Sequence, residues 1–562
     1  MLYSELDRIR SPLLLNGEWL FREDLSGTGN FADAPEPEQG WRKVCVPSDV
    51  AGCIPERPDA VGVYWYSKTF RLDKLLPGKR TVLHFDAVNY EAAVFLNGRF
   101  VVRNEEGFLP FEADVTNTVR EGENLLAVRV CTRRRPGQLP TAFYWKNCGG
   151  ILRDVYLYQT DVRYIASCRV TAHADGTAAF AVQTVGEGAR LEIALFDPEG
   201  QEILRTEETA TRISPVSLWS PETPALYRAE VMLKDGDAVL DRVLVTYGYR
   251  DIEARDGEIM LNGKPIFLQG FNRHEDHPRS GGAACAEVAE EDFARMKSAG
   301  ANFVRMCHYP HDERELAIAD RIGLCLLVEI PLCGYLVREL GIGIDPGVLN
   351  NEEVYGNARR ALIRMIARDH NHPSVIIWSV GNENNETEEK VVTNFIGLLS
   401  EAKRQDPSRL CTHVSCYSRN AKRKTFFTED DVICVNTYPS IQGRISEKNR
   451  EFDFARAGER IEELFKGLKE DFPGKPVLLT EFGYRTNDSF DGALDEEMQS
   501  RAIAAEFKAA KRCTSGAAVW LFADHLWQTG CGLLGDVSDY GLLTRDRREK
   551  AAWKVYRDLL QK

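Results

Sequence analysis

Two short stretches concentrate residues that could do chemistry. Trp378-Ser379-Val380-Gly381-Asn382-Glu383 follows Ile376-Ile377, and Val477-Leu478-Leu479-Thr480-Glu481-Phe482-Gly483 repeats the arrangement. Each is an apolar run that ends in a glutamate. A carboxylate is costly to bury unless something pairs with it or it does work. Two strand-terminal glutamates on one barrel are the equipment for cleaving a glycosidic bond, because that reaction needs two carboxyl groups facing the same bond. Taken alone, Glu383 or Glu481 reads equally well as a capping or salt-bridged carboxylate. The pair, with Asn382 immediately before Glu383, favours catalysis.

The elements that must position them begin at about residue 253. From there strand-like runs alternate with amphipathic helical ones, the signature of βα units and a parallel sheet. Strands are expected at 266–271, 302–307, 324–330, 375–380, 411–415, 432–436, 476–480 and 517–522, with helices such as 312–322, 353–369, 388–405 and 495–511 between them. Eight strands in about 300 residues fit a (β/α)8 TIM barrel over 253–562. The preceding chain reads differently. Residues 1–160 hold β-rich runs such as Ala92–Leu96 and Leu125–Val130, separated by turn formers such as Asn97-Gly98, so an antiparallel, jelly-roll-like β-sandwich is expected. Residues 161–252 continue in strands and fit an immunoglobulin-like β-sandwich.

A barrel of this kind carries its site at the carboxyl ends of its strands. In order, those ends supply Asn272-Arg273-His274-Glu275-Asp276-His277, then Cys307-His308-Tyr309-Pro310, Glu329, Asn382-Glu383, Asn436 with Tyr438, Glu481, and finally Asp524, His525 and Trp527. Carboxylates, imidazoles and aromatics together suit a sugar pocket, which needs stacking faces and polar groups in fixed places. His274, Asp276 and His277 could instead hold a metal with His308, but no ligand motif of fixed spacing such as HExxH accompanies them, and no metal is expected. Trp378 and Trp520 read either as core or as stacking faces. Trp145, outside the barrel, is either sandwich core or part of a loop reaching the pocket. No glycine-rich nucleotide loop follows any strand, so no cofactor of that class is expected.

With 562 residues the chain is too long for one core, and its composition (43% hydrophobic, 28% charged) is ordinary for globular proteins. A net charge of -14 offers no basic footprint for nucleic acid or anionic membrane. No apolar stretch is long enough to span a bilayer, and the N-terminal residues lack a secretory pattern. The 14 cysteines are scattered, mostly in apolar runs, which reads as free thiols in a reducing, cytoplasmic setting.

These residues resemble glycoside hydrolase family two, and within it the β-glucuronidase branch, over essentially the whole chain. Gly270-Phe271-Asn272-Arg273-His274-Glu275-Asp276 and Arg305-Met306-Cys307-His308-Tyr309-Pro310 look like the family's first two strand motifs. Arg368-Asp369-His370-Asn371-His372-Pro373-Ser374 leading into Trp378–Glu383 is close to its acid/base signature. Thr480-Glu481-Phe482-Gly483 resembles the nucleophile motif, and Gly541-Leu542-Leu543-Thr544-Arg545-Asp546-Arg547 the closing strand of glucuronidases. The resemblance implies a retaining, exo-acting β-glycosidase with Glu383 as general acid/base and Glu481 as nucleophile. It places Asn382 and Tyr438 on the positions that serve the sugar hydroxyls and the nucleophile, and makes Trp520, His308, Asp276 and Trp145 candidate substrate contacts. It further implies a small-molecule glycoside substrate, no cofactor, and a homo-oligomer. An N-terminal domain like the family's sugar-binding domain would brace the barrel.

One departure bears on the substrate. Family glucuronidases carry Asn-any-Lys just before the closing-strand glycine to grip the sugar carboxylate; Ser538 and Tyr540 stand there in this chain, and Leu534 stands where an arginine is usual. Two readings follow. A β-hexuronidase, with galacturonide favoured over glucuronide, would hold the carboxylate differently, through Arg338 first and Arg485 second. A β-galactosidase or other neutral-sugar enzyme would not need to hold one. The rival from another class is a catalytically inactive carbohydrate-binding barrel.

Overall fold

The computed structural model describes residues 8–24, 40–133, 135, 137–140, 145, 146, 148–283, 285–334, 348–384, 386, 388–416, 427–442, 454–486, 495–527 and 537–562. Alternation of apolar and polar residues builds the first two layers. Val63–Leu72 and Gly122–Cys131 pair antiparallel along their full length at the centre of a six-stranded sheet. A four-stranded sheet containing Lys79–Phe85 and Val155–Asp161 accompanies it. Trp19, Phe21, Tyr64, Tyr66, Leu126 and Val128 belong to the shared core. Asn97-Gly98 joins Glu91–Leu96 to Arg99–Asn104 with positive φ at both residues (50° and 78°), which is what a two-residue type I′ hairpin demands. A second sandwich follows. Its three-stranded sheet (Tyr164–Ala172, Thr177–Val185, Ala210–Arg212) and four-stranded sheet (Glu202–Thr206, Arg190–Phe196, Tyr227–Asp235, Ala238–Tyr247) contribute to a separate core around Phe180, Leu195, Val231 and Tyr247.

The third unit is a closed parallel barrel of eight strands: β1 (Leu268–Arg273), β2 (Phe303–Met306), β3 (Cys325–Glu329), β4 (Val375–Asn382), β5 (Leu410–Ser415), β6 (Ile433–Asn436), β7 (Val477–Phe482) and β8 (Gly516–Val519). All eight overlap the runs expected from the sequence. Apart from Gln269 in β1, every strand residue is buried, so the strands read as continuous apolar runs. Around them stand α1 (Ala286–Ser298), α2 (Glu313–Ile322), α3 (Glu352–Asp369), α4 (Glu389–Gln405), α5 (Phe454–Asp471), α6 (Glu496–Cys513) and α7 (Ala551–Leu560). Asp495 caps α6 by accepting from the Met498 amide, and Glu496 and Glu497 occupy its first turn, where the helix dipole favours negative charge.

The two sandwiches meet opposite parts of the barrel. Arg250, at the end of the second, donates to the carbonyls of Pro373 and Val375 at the entry to β4, at 2.7 and 2.8 Å. Arg153 of the first reaches Glu275 and the Pro310 carbonyl, past the exits of β1 and β2. The backbone of Trp145 bridges to that of Trp527, and the Lys146 amide donates to the Leu526 carbonyl at 2.8 Å. The first sandwich is thus anchored at the mouth where the site residues emerge. Among the described residues, no helix is long and apolar enough to cross a membrane.

Candidate active site

The barrel changes register at the exits of the strands that carry the site. Shifts fall between Ser379 and Asn382 in β4, at Val435/Asn436 in β6, and between Leu479 and Phe482 in β7. Such irregularities re-aim side chains out of a regular ladder. At the β4 exit Gly381 has φ 149°, and a Cβ there would lie 2.9 Å from the Leu332 carbonyl oxygen. Glu383 follows with φ 50°, a left-handed conformation that a non-glycine residue adopts only when its surroundings hold it. Its amide donates to the Val414 carbonyl at 2.7 Å.

The centre of the site is Arg305, on β2, whose guanidinium is fully buried. It donates to Glu481 Oε1 at 2.5 Å, to Asn272 Oδ1 at 3.1 Å, to both oxygens of Glu329 at 3.1 and 2.9 Å, and to Asn382 Oδ1 at 2.8 Å. One cation therefore ties together the exits of β1, β3, β4 and β7. Burial works against the charge on Arg305, but Glu329 and Glu481 outweigh it and raise its pKa. Burial likewise opposes ionisation of Glu329, yet Arg305, His308 and Ser379 hold its carboxyl down at about 2. A buried ion network of this kind survives because each charge is both paired and hydrogen-bonded.

The two glutamates occupy opposite surroundings. Glu481 accepts from Arg305 on one oxygen and from the Tyr438 hydroxyl on the other, at 2.6 Å. Glu383 accepts from Asn436 Nδ2 at 2.7 Å, the same nitrogen that reaches Asn382 Oδ1 at 3.1 Å. Burial and then the charge of Glu481 push the Glu383 carboxyl up to about 8, with the Asn436 bond opposing. The Thr480 hydroxyl donates to Asn436 Oδ1 at 2.7 Å and fixes that amide's orientation.

The other expected site residues fall as follows. His308 is buried, with Nδ1 at 2.8 Å from Glu329 and Nε2 at 3.8 Å from Glu481. Trp520 stacks on the His308 ring at 5.3 Å, and Trp145 stands 5.3 Å from both His308 and His274, which brings the sandwich tryptophan to the barrel mouth. Tyr540 lies edge-on to Tyr438 at 5.9 Å. Asp276 is engaged within the protein: Arg545 grips both its oxygens at 2.7 and 2.8 Å, and the Leu526 amide donates to it at 2.9 Å. Those bonds brace the segment after β8. Arg485 is bonded to Asp539 at 2.8 Å, with its guanidinium 5.7 Å from the Tyr540 ring. Arg338 and Leu534 lie outside the described residues. Trp378 is core: its indole donates to Asp406 at 3.0 Å and its ring sits under Arg409.

Residues that the sequence reading left without a role are Arg305, Glu329 and Asn436. All three sit on or beside strand exits, and that position was the available signal. His274 Nε2, His525 Nδ1 and the Ser538 hydroxyl are buried without a hydrogen-bond partner, and His525 pairs with Ser538 across a two-stranded ribbon. They add polar atoms that a ligand could satisfy.

Comparison with known proteins fits this geometry. Residues 252–562 match the family described as "Glycosyl hydrolases family 2, TIM barrel domain", residues 29–161 that described as "Glycosyl hydrolases family 2, sugar binding domain", and residues 152–250 that described as "Glycosyl hydrolases family 2". The chain is 28% identical to a β-glucuronidase of Paenibacillus borealis, covering 97% of this chain and 96% of that one. It is 29% identical to the β-glucuronidase of Canis lupus familiaris, over 99% and 92% of the two. Among solved structures, a β-glucuronidase of Ruminococcus gnavus superposes with a TM-score of 0.89 at 26% identity, covering 99% and 98% of the two chains. The chain belongs to glycosyl hydrolase family 2 and is a glycoside hydrolase.

Proposed function

We propose that the chain is a retaining, exo-acting β-hexuronidase in which Glu481 attacks the anomeric carbon and Glu383 protonates the departing oxygen, then activates water against the glycosyl-enzyme. The observation that carries this reading is the contrast between the two carboxyls. Glu383 is held up at about 8 and can arrive protonated, while Glu481 is oriented by Arg305 and Tyr438. Double displacement predicts that the first product formed keeps the β configuration. Proton NMR of the initial product reads this directly; an α anomer appearing first would overturn it.

The relatives' names support a uronide, and the replacement of the carboxylate clamp by Ser538 and Tyr540 supports a galacturonide over a glucuronide. A panel of aryl β-glycosides decides: galacturonide, glucuronide, galactoside, glucoside and mannoside. The expected order puts both uronides ahead, galacturonide first. A neutral-sugar reading has one observation in its favour, that Arg485 is already engaged by Asp539; faster cleavage of a neutral glycoside than of either uronide would establish it. Assembly as a homo-oligomer carries over from the family resemblance as a proposal, read by light scattering. A reducing, cytoplasmic setting is supported by the free thiol state of every described cysteine.

A further inference from the structure

We infer that His274, Cys307 and His308 form a binding site for a thiophilic divalent cation such as Zn²⁺ or Co²⁺, which on binding blocks the glycosidase. One ligand atom from each of the three lies within 4.8 Å of the others, and all three residues are buried. His274 Nε2 has no hydrogen-bond partner and no solvent contact, a cost that a ligand would remove. His308 presents the arrangement common to metal-binding imidazoles. Glu329 Oε1 lies 2.8 Å from Nδ1, so in the neutral imidazole that carries its proton there, Nε2 is the free ligand atom. Cys307 supplies sulfur; its thiol now donates to the Arg273 carbonyl at 3.2 Å.

Binding breaks the Cys307 S–H bond, forms a metal–sulfur bond and releases one proton to solvent, with no change of oxidation state. Metal–nitrogen bonds of about 2.0–2.1 Å and a metal–sulfur bond of about 2.3 Å draw the three atoms inward by side-chain rotation. One sulfur and two imidazoles select borderline and soft ions over Mg²⁺ or Ca²⁺. Glu481 Oε1, which Arg305 holds, lies 3.8 Å from His308 Nε2, so an ion bound on that nitrogen sits beside the proposed nucleophile and obstructs its approach to a sugar. The second cluster of candidate ligands, Glu275, His311 and Glu315, differs in that its carboxylates are already tied to arginines. Glu275 holds Arg153 and the Asp312 amide, and Glu315 holds Arg273 through both oxygens.

Co²⁺ titrated into the full chain tests the site. The expected result is a thiolate-to-cobalt charge-transfer band that saturates at one equivalent, with loss of turnover that a chelator reverses. Cys307→Ser should lose the band and need at least about tenfold more Co²⁺ for the same inhibition. A Cys45→Ser variant, which removes an exposed thiol of the first sandwich, should keep both. Absence of the band at saturating Co²⁺, equal inhibition of Cys307→Ser, or loss of the band in the surface-thiol variant overturns the proposal. Should Cys307→Ser fail to fold, X-ray absorption of the zinc-loaded wild-type chain resolves the same question: one sulfur with two imidazoles supports the site, and a shell without sulfur sinks it.

Discussion

Glu481 and Glu383 are the same residue type at the exits of two parallel strands of one barrel, yet they are held in opposite ways. Glu481 receives a cation and a hydroxyl, one on each oxygen. Glu383 receives one amide donor, sits in a left-handed backbone conformation, and faces the field of its partner's charge. In the proposed mechanism, what separates the acid from the nucleophile is the environment. The proposed roles can be tested by disturbing each environment in turn.

The largest effect should come from Glu481. Glu481→Gln keeps the shape and removes the nucleophile, so kcat should fall by at least about 10⁴-fold, the scale of nucleophile deletions in covalent mechanisms. Binding of a sugar ligand, read by calorimetry, should persist. Hydrolysis at an undiminished rate would remove Glu481 from the role and leave Arg305 without a catalytic reason to be there. Next comes Glu383→Gln, expected to cost about 10²–10⁴-fold. Its loss should depend on the aglycone. Substrates with a poor, basic leaving group should suffer most and those with an acidic phenol least, because only the former need a proton. A loss independent of leaving group would contradict the acid role.

Much of this contrast was legible before the fold was known. The period change at about residue 253 marks the barrel because parallel strands are buried on both faces and helices on one. The two glutamates stand out because apolar runs seldom end in a carboxylate. Arg305 was visible only as part of a motif, since its meaning lies in four strand exits converging: Asn272, Glu329, Asn382 and Glu481 come from stretches far apart in the chain. Asp276 has a partnership that the sequence hides. It looks like a pocket residue from its neighbours His274 and His277, but its partner Arg545 is 269 residues away and no local pattern announces the pair. Trp145 belongs to the sandwich in sequence and to the barrel mouth in space, which the family resemblance suggested and strand patterning could not.

Tyr438→Phe should have an intermediate effect. It removes one hydrogen bond to a charged oxygen, about 1.5–3 kcal/mol, or roughly 10- to 100-fold in kcat/KM. Arg305 remains on the other oxygen, so the nucleophile stays anchored. A loss matching that of Glu481→Gln would mean that the hydroxyl does more than orient the carboxylate.

The smallest effect, and the sharpest test of the comparison, concerns Asn436. Its Nδ2 bond to Glu383 Oε1 favours the ionised carboxylate and so works against the burial and the Glu481 charge that hold the proton on. The proposed acid role needs Glu383 protonated, so kcat/KM should fall as pH rises through about 8. Asn436→Ala removes the opposing bond, which raises the Glu383 pKa and moves this alkaline limb to higher pH. It also strips the Thr480 hydroxyl of its acceptor, so the variant should lose about 1–3 kcal/mol of stability in denaturant unfolding. Tyr438→Phe touches the other carboxylate and should leave the alkaline limb in place. If Asn436→Ala moved the limb to lower pH, the assignment of that limb to Glu383 would fail, and with it the division of labour between the two glutamates.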